Sequence, residues 1–265
     1  MIKNISIIGA GSLATSILSA IIRAERSYNI NLIDIDKKKK ALARKYNVNF
    51  SSKYSSNISK SDLIFLLVKP KEYKIMLKEI NQFLSKNVIL LSFMAGITHD
   101  DIKDNINKNI TVVRCMANLT IKNFNSYVFY FSKSLNTKNN MMLKDFFSQF
   151  SKSKRYRTEN DIDKLTALYG SGPAYYVFFN KIIKESFIKM GYSDRDSREY
   201  TNDLLEGSVT LIKENNDLDA IIDAIASKKG TTEAALLEFK NKKINQIFSK
   251  GIIHAYKKSK NILKK

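Results

Sequence analysis

Short apolar runs separated by amphipathic stretches fill the first 159 residues of the chain. Residues 3–8, 30–34, 63–68, 88–91, 111–116 and 127–131 read as strands, and 153–157 as a last edge strand. Runs that are apolar at successive positions, rather than at alternate ones, belong to parallel strands covered on both faces. Helical patterns lie between them. One spans 12–24. A second runs from a capping Asp36 through Tyr46 with Leu42 inward. A third spans 73–83 and carries Ile75, Met76, Leu77, Ile80 and Phe83. A short helix follows a Thr98 cap, and another covers 141–150. Lys69-Pro70 closes the third strand, since proline cannot continue a central one. This alternation predicts an α/β fold with a doubly wound parallel sheet.

The pattern changes near Glu159 to Asp161, beyond which every signal is helical. Pro173 stands where a first helical turn tolerates it, after Gly170-Ser171-Gly172. Tyr175, Tyr176, Val177, Phe178, Phe179, Ile182, Ile183, Phe187 and Ile188 then make a helix apolar almost all round. Ser193 caps another helix, with Tyr200, Leu204, Leu205 and Val209 expected inward. Further helices cover 218–225, start at Thr231 or Thr232, and span 248–263. Two domains are expected, 1–159 and 160–265. The second is small for burying so apolar a helix alone, and self-association would complete its core.

Composition narrows the function. The chain has 265 residues, 44% of them hydrophobic, enough for a sizeable core. No run approaches the roughly 20 apolar residues that span a bilayer, so a soluble, cytoplasmic protein is expected and no membrane partner. Residues 1–24 superficially resemble a secretory signal, but Ser6, Gly9, Gly11, Ser12, Thr15 and Ser16 break the apolar stretch. The single cysteine, Cys115, reads as a buried strand thiol and suits a reducing compartment. With it and two histidines, His99 and His254, no zinc site of ordinary ligand spacing can be built, and no metal is expected. His99 reads as a surface residue after its cap, and His254 as structural. The formal net charge of +20 raises the question of nucleic acid. The lysines are spread along the chain among acids, and the densest run, Lys37 to Lys40, reads as a solvated helix side. Specific nucleic-acid binding is not expected.

Candidate chemistry concentrates at Gly9-Ala10-Gly11-Ser12-Leu13-Ala14, a G-x-G-x-x-A placed where the first strand turns into the first helix. Gly9 allows the turn, Gly11 lets a pyrophosphate approach the backbone, and Ala14 lets helix and strand pack closely. The helix from Ser12 aims free N–H groups and a positive dipole end at phosphates. Asp34 ends the second strand, where a carboxylate accepts hydrogen bonds from ribose hydroxyls. The nicotinamide of such a cofactor would carry the chemistry, with neither metal nor protein nucleophile required.

Over almost its whole length the sequence resembles the pyrroline-5-carboxylate reductase family. After the glycine turn come Val68-Lys69-Pro70, like the family's V-K-P, and Ala95-Gly96-Ile97, like its A-G-I. Arg114-Cys115-Met116-Ala117-Asn118 is similar to its R-x-M-x-N. Glu159, Gly170-Ser171-Gly172-Pro173-Ala174-Tyr175 and Gly191 follow in order. The last signature departs: S-P-G-G-[TA]-T in the family is Ser227-Lys228-Lys229-Gly230-Thr231-Thr232 here. Proline and the first glycine are both lysine. Ala117 stands at a frequent proline, and residues 122–125 lack the usual glycine.

The resemblance implies an N-terminal Rossmann domain, an all-α C-terminal dimerisation domain, and NAD(P)H-dependent reduction of pyrroline-5-carboxylate to proline. It implies that the active site lies between one subunit's nucleotide domain and its partner's helical domain. The cofactor would meet Gly9, Gly11, Ser12, Leu13, Ala14 and Asp34, then Val68, Lys69, Pro70, Ala95, Gly96 and Asn118. Ser171, Gly172 and Pro173 would shape the substrate pocket. Ser227 and the Gly230, Thr231 and Thr232 backbone would bind the substrate carboxylate, with the Thr232 hydroxyl, the catalytic candidate, on the ring nitrogen. Asp34, with Ile35 where the family commonly has arginine, favours NADH over NADPH; Lys37 to Lys40 argue the other way. Two rivals stand beside this reading. One is a reductase of another cyclic imine or a keto acid. The other is a nucleotide-binding protein without catalysis.

Overall fold

The computed structural model describes residues 2–106 and 109–262. Eight strands form one sheet: β1 (Asn4–Ile8), β2 (Asn29–Ile33), β3 (Asn49–Ser51), β4 (Leu63–Leu66), β5 (Ile89–Ser92), β6 (Thr111–Met116), β7 (Tyr127–Phe131) and β8 (Lys152–Arg155). Their order is β3-β2-β1-β4-β5-β6-β7-β8, so the winding reverses between β1 and β4. Strands β1 to β6 pair in parallel. The helices of this part are α1 (Ser12–Arg23), α2 (Lys40–Lys45), α3 (Tyr73–Ile80), α4 (His99–Lys103), α5 (Thr137–Ser148) and α6 (Glu159–Leu165).

The pleat sorts the strand residues onto two cores. Ile5, Ile7, Leu63, Phe65, Ile89 and Leu91 join Ile17, Leu18 and Ile21 of α1 and Phe146 and Phe147 of α5. Ile8, Ile64, Leu66 and Leu90 face the other way, onto Met76, Leu77 and Ile80 of α3 and Ile102 of α4. Burial on both faces is why these strands are apolar at successive positions.

Several expectations are corrected. β3 was not foreseen: its three residues, none of them buried, carry too little pattern. The segment after Asp36 begins as a tight turn, Lys37–Lys39, before α2, and Asp36 caps it by accepting from the Lys38 N–H. On α3 the inward set is Tyr73, Met76, Leu77 and Ile80, while Ile75 is 67% exposed. β7 runs antiparallel to β6. Only a short turn at Leu119–Asn123 links them, with none of the crossover helix that a parallel return requires. α5 supplies such a crossover, and β8 accordingly pairs in parallel with β7.

The remaining helices are α7 (Gly172–Lys189), α8 (Asp194–Glu214), α9 (Leu218–Ile225), α10 (Thr231–Asn241) and α11 (Ile244–Lys260). The last helix, foreseen over 248–263, instead runs from Ile244 and ends at Lys260, with Asn261 and Ile262 forming a turn; Leu263 lies outside the described residues. Two compact units result. One comprises Met1–Ser171 with Ala255–Lys265, the other Gly172–His254. α6 falls in the first because Ile162 and Leu165 pack on Phe129 and Phe131 of β7. In the second unit, only Ser197 and Thr201 are buried among the described residues. Tyr200, Leu204, Leu205 and Val209, expected inward, are exposed in the single chain. The helices form as the sequence dictates and touch through pairs such as Phe187 with Tyr200 and Phe179 with Phe248, but one copy leaves much of their apolar surface exposed.

Candidate active site

The turn after β1 sits at the winding reversal, the place where open α/β sheets bind ligands. Gly9 has φ +97°, and a Cβ there would lie 2.7 Å from the backbone carbon and oxygen of Leu67. The β1 turn can therefore press against the end of β4 only with glycine. Gly11 differs: a Cβ there would meet nothing within 4 Å, so the turn leaves open space above it. Ala14 is buried against the sheet, and no side chain caps the N-terminus of α1 at Gly11 or Ser12. Its first amides thus face that open space. Asp34 closes the turn. Its Oδ2 accepts the Ala10 N–H at 2.7 Å and its Oδ1 the Asp36 N–H at 2.8 Å, leaving a lone pair on each oxygen.

A cavity of about 620 Å3 opens here, lined by Gly9, Gly11 and Asp34 together with Val68 and Lys69. Its farther walls come from Ile35, Asp36, Lys39 and Tyr54, from Glu72 just before α3, and from Ile75, Met76 and Glu79 on α3. Ile35 and Ile75, 75% and 67% exposed, offer apolar faces suited to a flat ring. Burial, then Glu79, Asp34 and Glu72, pushes the Tyr54 hydroxyl up to about 12, so it keeps its proton. Of the run Lys37 to Lys40, only Lys39 lines the cavity. Pro70 opens a tight turn, Pro70–Glu72, which leads into α3.

A second cavity of about 230 Å3 is lined by Leu13, Ala95, Met116, Ala117, Thr166 and Ser171, with Arg114 at its edge. α6 passes into one wide helical turn, Thr166–Gly170, closed by the Ser171 N–H on the Thr166 carbonyl at 3.1 Å. Such turns occur often at functional sites. A Cβ on Gly170 would lie 2.2 Å from Met116 Cε, so a side chain there would have to displace the end of Met116. Arg114 is buried. It donates to Glu159 Oε1 at 2.9 Å and to Asp163 Oδ1 at 3.0 Å. Two carboxylates thus satisfy its fork and fix α6 on β6.

Gly96 and Asn118 are engaged in the fold itself. Gly96, at φ +69°, leaves space for Ile262 and the Ser259 carbonyl. Asn118 donates to the Tyr169 carbonyl at 2.9 Å and accepts from Thr120. His99, expected on the surface, is only 3% exposed. Its backbone N–H donates to Glu159 at 2.6 Å and its ring meets Phe131 edge-on. Burial holds its pKa below the usual histidine value. Cys115 is a buried strand thiol as foreseen, its pKa raised by burial.

In the helical unit, Gly172 and Pro173 begin α7. Ser227 to Gly230 form a four-residue turn, the Gly230 N–H donating to the Ser227 carbonyl at 2.9 Å. Lys229, the third residue, has φ +60°. The family's proline and glycine suit the second and third positions of such a turn, which want a fixed negative and a positive φ. A Cβ on Gly230 would lie 2.3 Å from Ser227 Oγ, so only glycine lets Ser227 fold over the turn. Gly230 leads into α10, whose first amides have no side-chain cap. Thr231 is exposed and Thr232 half-buried in that first turn.

Sequence reasoning missed three things: the Glu159–Arg114–Asp163 ion pairs, Tyr54, and the acids Glu72 and Glu79. One signal was available, since Glu72, Ile75, Met76 and Glu79 recur at helical spacing beside the core stripe.

Open space over Gly11, uncapped amides behind it and an acid ending β2 fit a dinucleotide, and on this sheet they define a nucleotide-binding protein of the Rossmann class. Comparison with known proteins is more specific. Residues 159–262 match the family model for pyrroline-5-carboxylate reductase dimerisation. Residues 4–96 match the model for NADP oxidoreductase coenzyme F420-dependent. A pyrroline-5-carboxylate reductase of Staphylococcus aureus is 30% identical over 239 residues, covering 86% of each chain. Pyrroline-5-carboxylate reductase 1 of Bacillus spizizenii is 27% identical, covering 98% of this chain and 89% of its own. Among solved structures, the Plasmodium falciparum pyrroline carboxylate reductase with NADP bound superposes with a TM-score of 0.88. It is 23% identical, and coverage is 98% of this chain and 97% of that one. The chain belongs to the pyrroline-5-carboxylate reductase family.

Proposed function

We propose that this protein reduces pyrroline-5-carboxylate to proline with NADH or NADPH. What carries the reading is that named reductases match over most of both chains, so the glycine-turn cavity and the α10 turn are both included. When bound, a nicotinamide would supply the hydride to the carbon of the protonated C=N bond, leaving the amine. The protein supplies position. Gly9, Gly11, Ser12, Leu13 and Ala14 receive the pyrophosphate, Asp34 the ribose, and Val68, Lys69, Pro70, Ala95, Gly96 and Asn118 frame the remainder. The uncapped start of α10 is suited to the substrate carboxylate, through the Gly230, Thr231 and Thr232 amides and Ser227. The Thr232 hydroxyl bonds the ring nitrogen, while Ser171, Gly172 and Pro173 shape the pocket. Residues 1–159 act as the nucleotide domain and 160–265 as the substrate and dimerisation domain.

NADH is the preferred cofactor, because a 2′-phosphate would meet the Asp34 carboxylate. The working form is a dimer through the helical unit. Tyr176, Val177 and Phe178 of α7 are 71%, 67% and 58% exposed in one copy. Covering each such side chain contributes about 1.5–3 kcal/mol, and a second copy presenting the same face is the partner suited to it. A folded, active 30.3 kDa monomer in sedimentation at micromolar concentration would refute the dimer.

The deciding experiment is NADH and NADPH oxidation with pyrroline-5-carboxylate, in wild type and Thr232→Ala. The variant should lose about 1–3 kcal/mol of transition-state binding, roughly ten- to a hundred-fold in kcat/KM, with nucleotide affinity unchanged. Wild-type kinetics in the variant would place the site elsewhere. A second reading, reduction of another cyclic imine, draws on Lys228 and Lys229 where the family has proline and glycine. Turnover of such an imine in preference to pyrroline-5-carboxylate would establish it.

A further inference from the structure

We propose that Glu79 is a second selector against a 2′-phosphorylated nucleotide, acting from α3 across the cavity from Asp34. The inference rests on the reading of that cavity as the dinucleotide site. Asp34 fixes where the adenosine ribose goes, at the end of β2. Asp34 is partly spent, because each of its oxygens already accepts a backbone N–H of the turn. The cavity continues past it to Tyr54, Glu72, Ile75 and Glu79. Glu79, Asp34 and Glu72 all bear on the Tyr54 hydroxyl, Glu79 the most strongly of the three. Asp34 after β2, Glu72 before α3 and Glu79 on α3 therefore line one cavity with Tyr54. The protonated Tyr54 hydroxyl lies among them as a neutral donor or acceptor.

A ribose hydroxyl is neutral and can donate to a carboxylate. A 2′-phosphate is dianionic and can only accept, so every carboxylate within reach repels it. Four carboxylates line this cavity (Asp34, Asp36, Glu72 and Glu79) against two ammonium groups, Lys39 and Lys69. Lys69 stands with Val68 after β4, and Lys39 reaches the cavity from the turn after β2. The preference for the unphosphorylated cofactor thus belongs to the cavity wall as well as to the residue ending β2. Glu79 is the member to test. It is solvent-exposed on α3, outside both cores, so its replacement leaves the fold intact. Replacing Asp34 would open the glycine turn instead.

The experiment measures dissociation constants of NADH and NADPH for the full-length wild type, Glu79→Gln and Glu79→Lys, by nucleotide fluorescence at low and high salt. Wild type should bind NADH more tightly. Glu79→Gln should narrow the ratio about five- to ten-fold by tightening NADPH, and Glu79→Lys further, with the effect shrinking at high salt. A ratio unchanged in both variants, a salt-independent change, or a wild type that prefers NADPH overturns the selector while leaving the dinucleotide site standing. Failure of either nucleotide to bind wild type overturns the reading of the cavity itself.

Discussion

Lys229 is the clearest place where this chain departs from its relatives at a structural cost. It holds φ +60°, a conformation in which an L side chain loses roughly 1–2 kcal/mol to its own backbone. Two contacts hold it there. The Gly230 N–H closes the turn on Ser227, and the Lys229 N–H donates to Glu233 Oε2 at 2.5 Å. Lys229→Gly removes the steric penalty but adds glycine's extra unfolded-chain entropy, about 0.5–1 kcal/mol. The net gain is about 0.5–1 kcal/mol. Lys228→Pro adds about 0.4–1 kcal/mol by restricting the open chain. Together they should close the turn by about 1–2 kcal/mol, a roughly five- to thirty-fold lower opening constant. Hydrogen exchange of the Gly230 amide reads this directly, since that amide is protected only while the turn is closed. Exchange should slow by that factor, and the KM for pyrroline-5-carboxylate should fall because more of the protein is binding-competent. Unchanged or faster exchange at Gly230 would refute the argument that Lys229 is strained.

Four further outcomes are expected. Gly9→Ala should destabilise the sheet unit by about 2–4 kcal/mol in denaturant unfolding, because its Cβ meets backbone that cannot give way. Gly11→Ala, with nothing within 4 Å, should leave stability unchanged yet weaken nucleotide binding; a large stability loss there would contradict the open space. Arg114→Met leaves Glu159 and Asp163 without their cation and should cost about 3 kcal/mol, part of it recovered by adding Glu159→Gln and Asp163→Asn. His99 has a folded-state pKa below its unfolded value, so the unfolded chain binds the extra proton first. Stability from its neutral burial is present above about pH 6.5 and is lost as pH falls through that value toward the folded pKa. An acid-unfolding slope identical in His99→Gln would show that another group sets it.

Local chain chemistry was enough for the glycine turn, the Asp34 that follows it and most helix starts. A glycine at positive φ, an uncapped first turn or a Thr98–Asp101 capping box is decided by residues a few positions apart. The two faces of β1, β4 and β5 were equally plain, because burial on both sides leaves an unbroken apolar run. What the sequence could not decide depends on partners far along the chain. The reversal of β7 follows from its pairing with β6, and β3 exists only because β2 offers it an edge. His99 is buried because Glu159 and Phe131 close over it. Arg114 looked like a motif letter until α6 brought it two carboxylates. Ile75 fell on the stripe by spacing, yet the angular position of α3 on the sheet turned it into the cavity with Glu79. Periodicity fixes which residues share a helix face, but only packing against the sheet settles which face is inward.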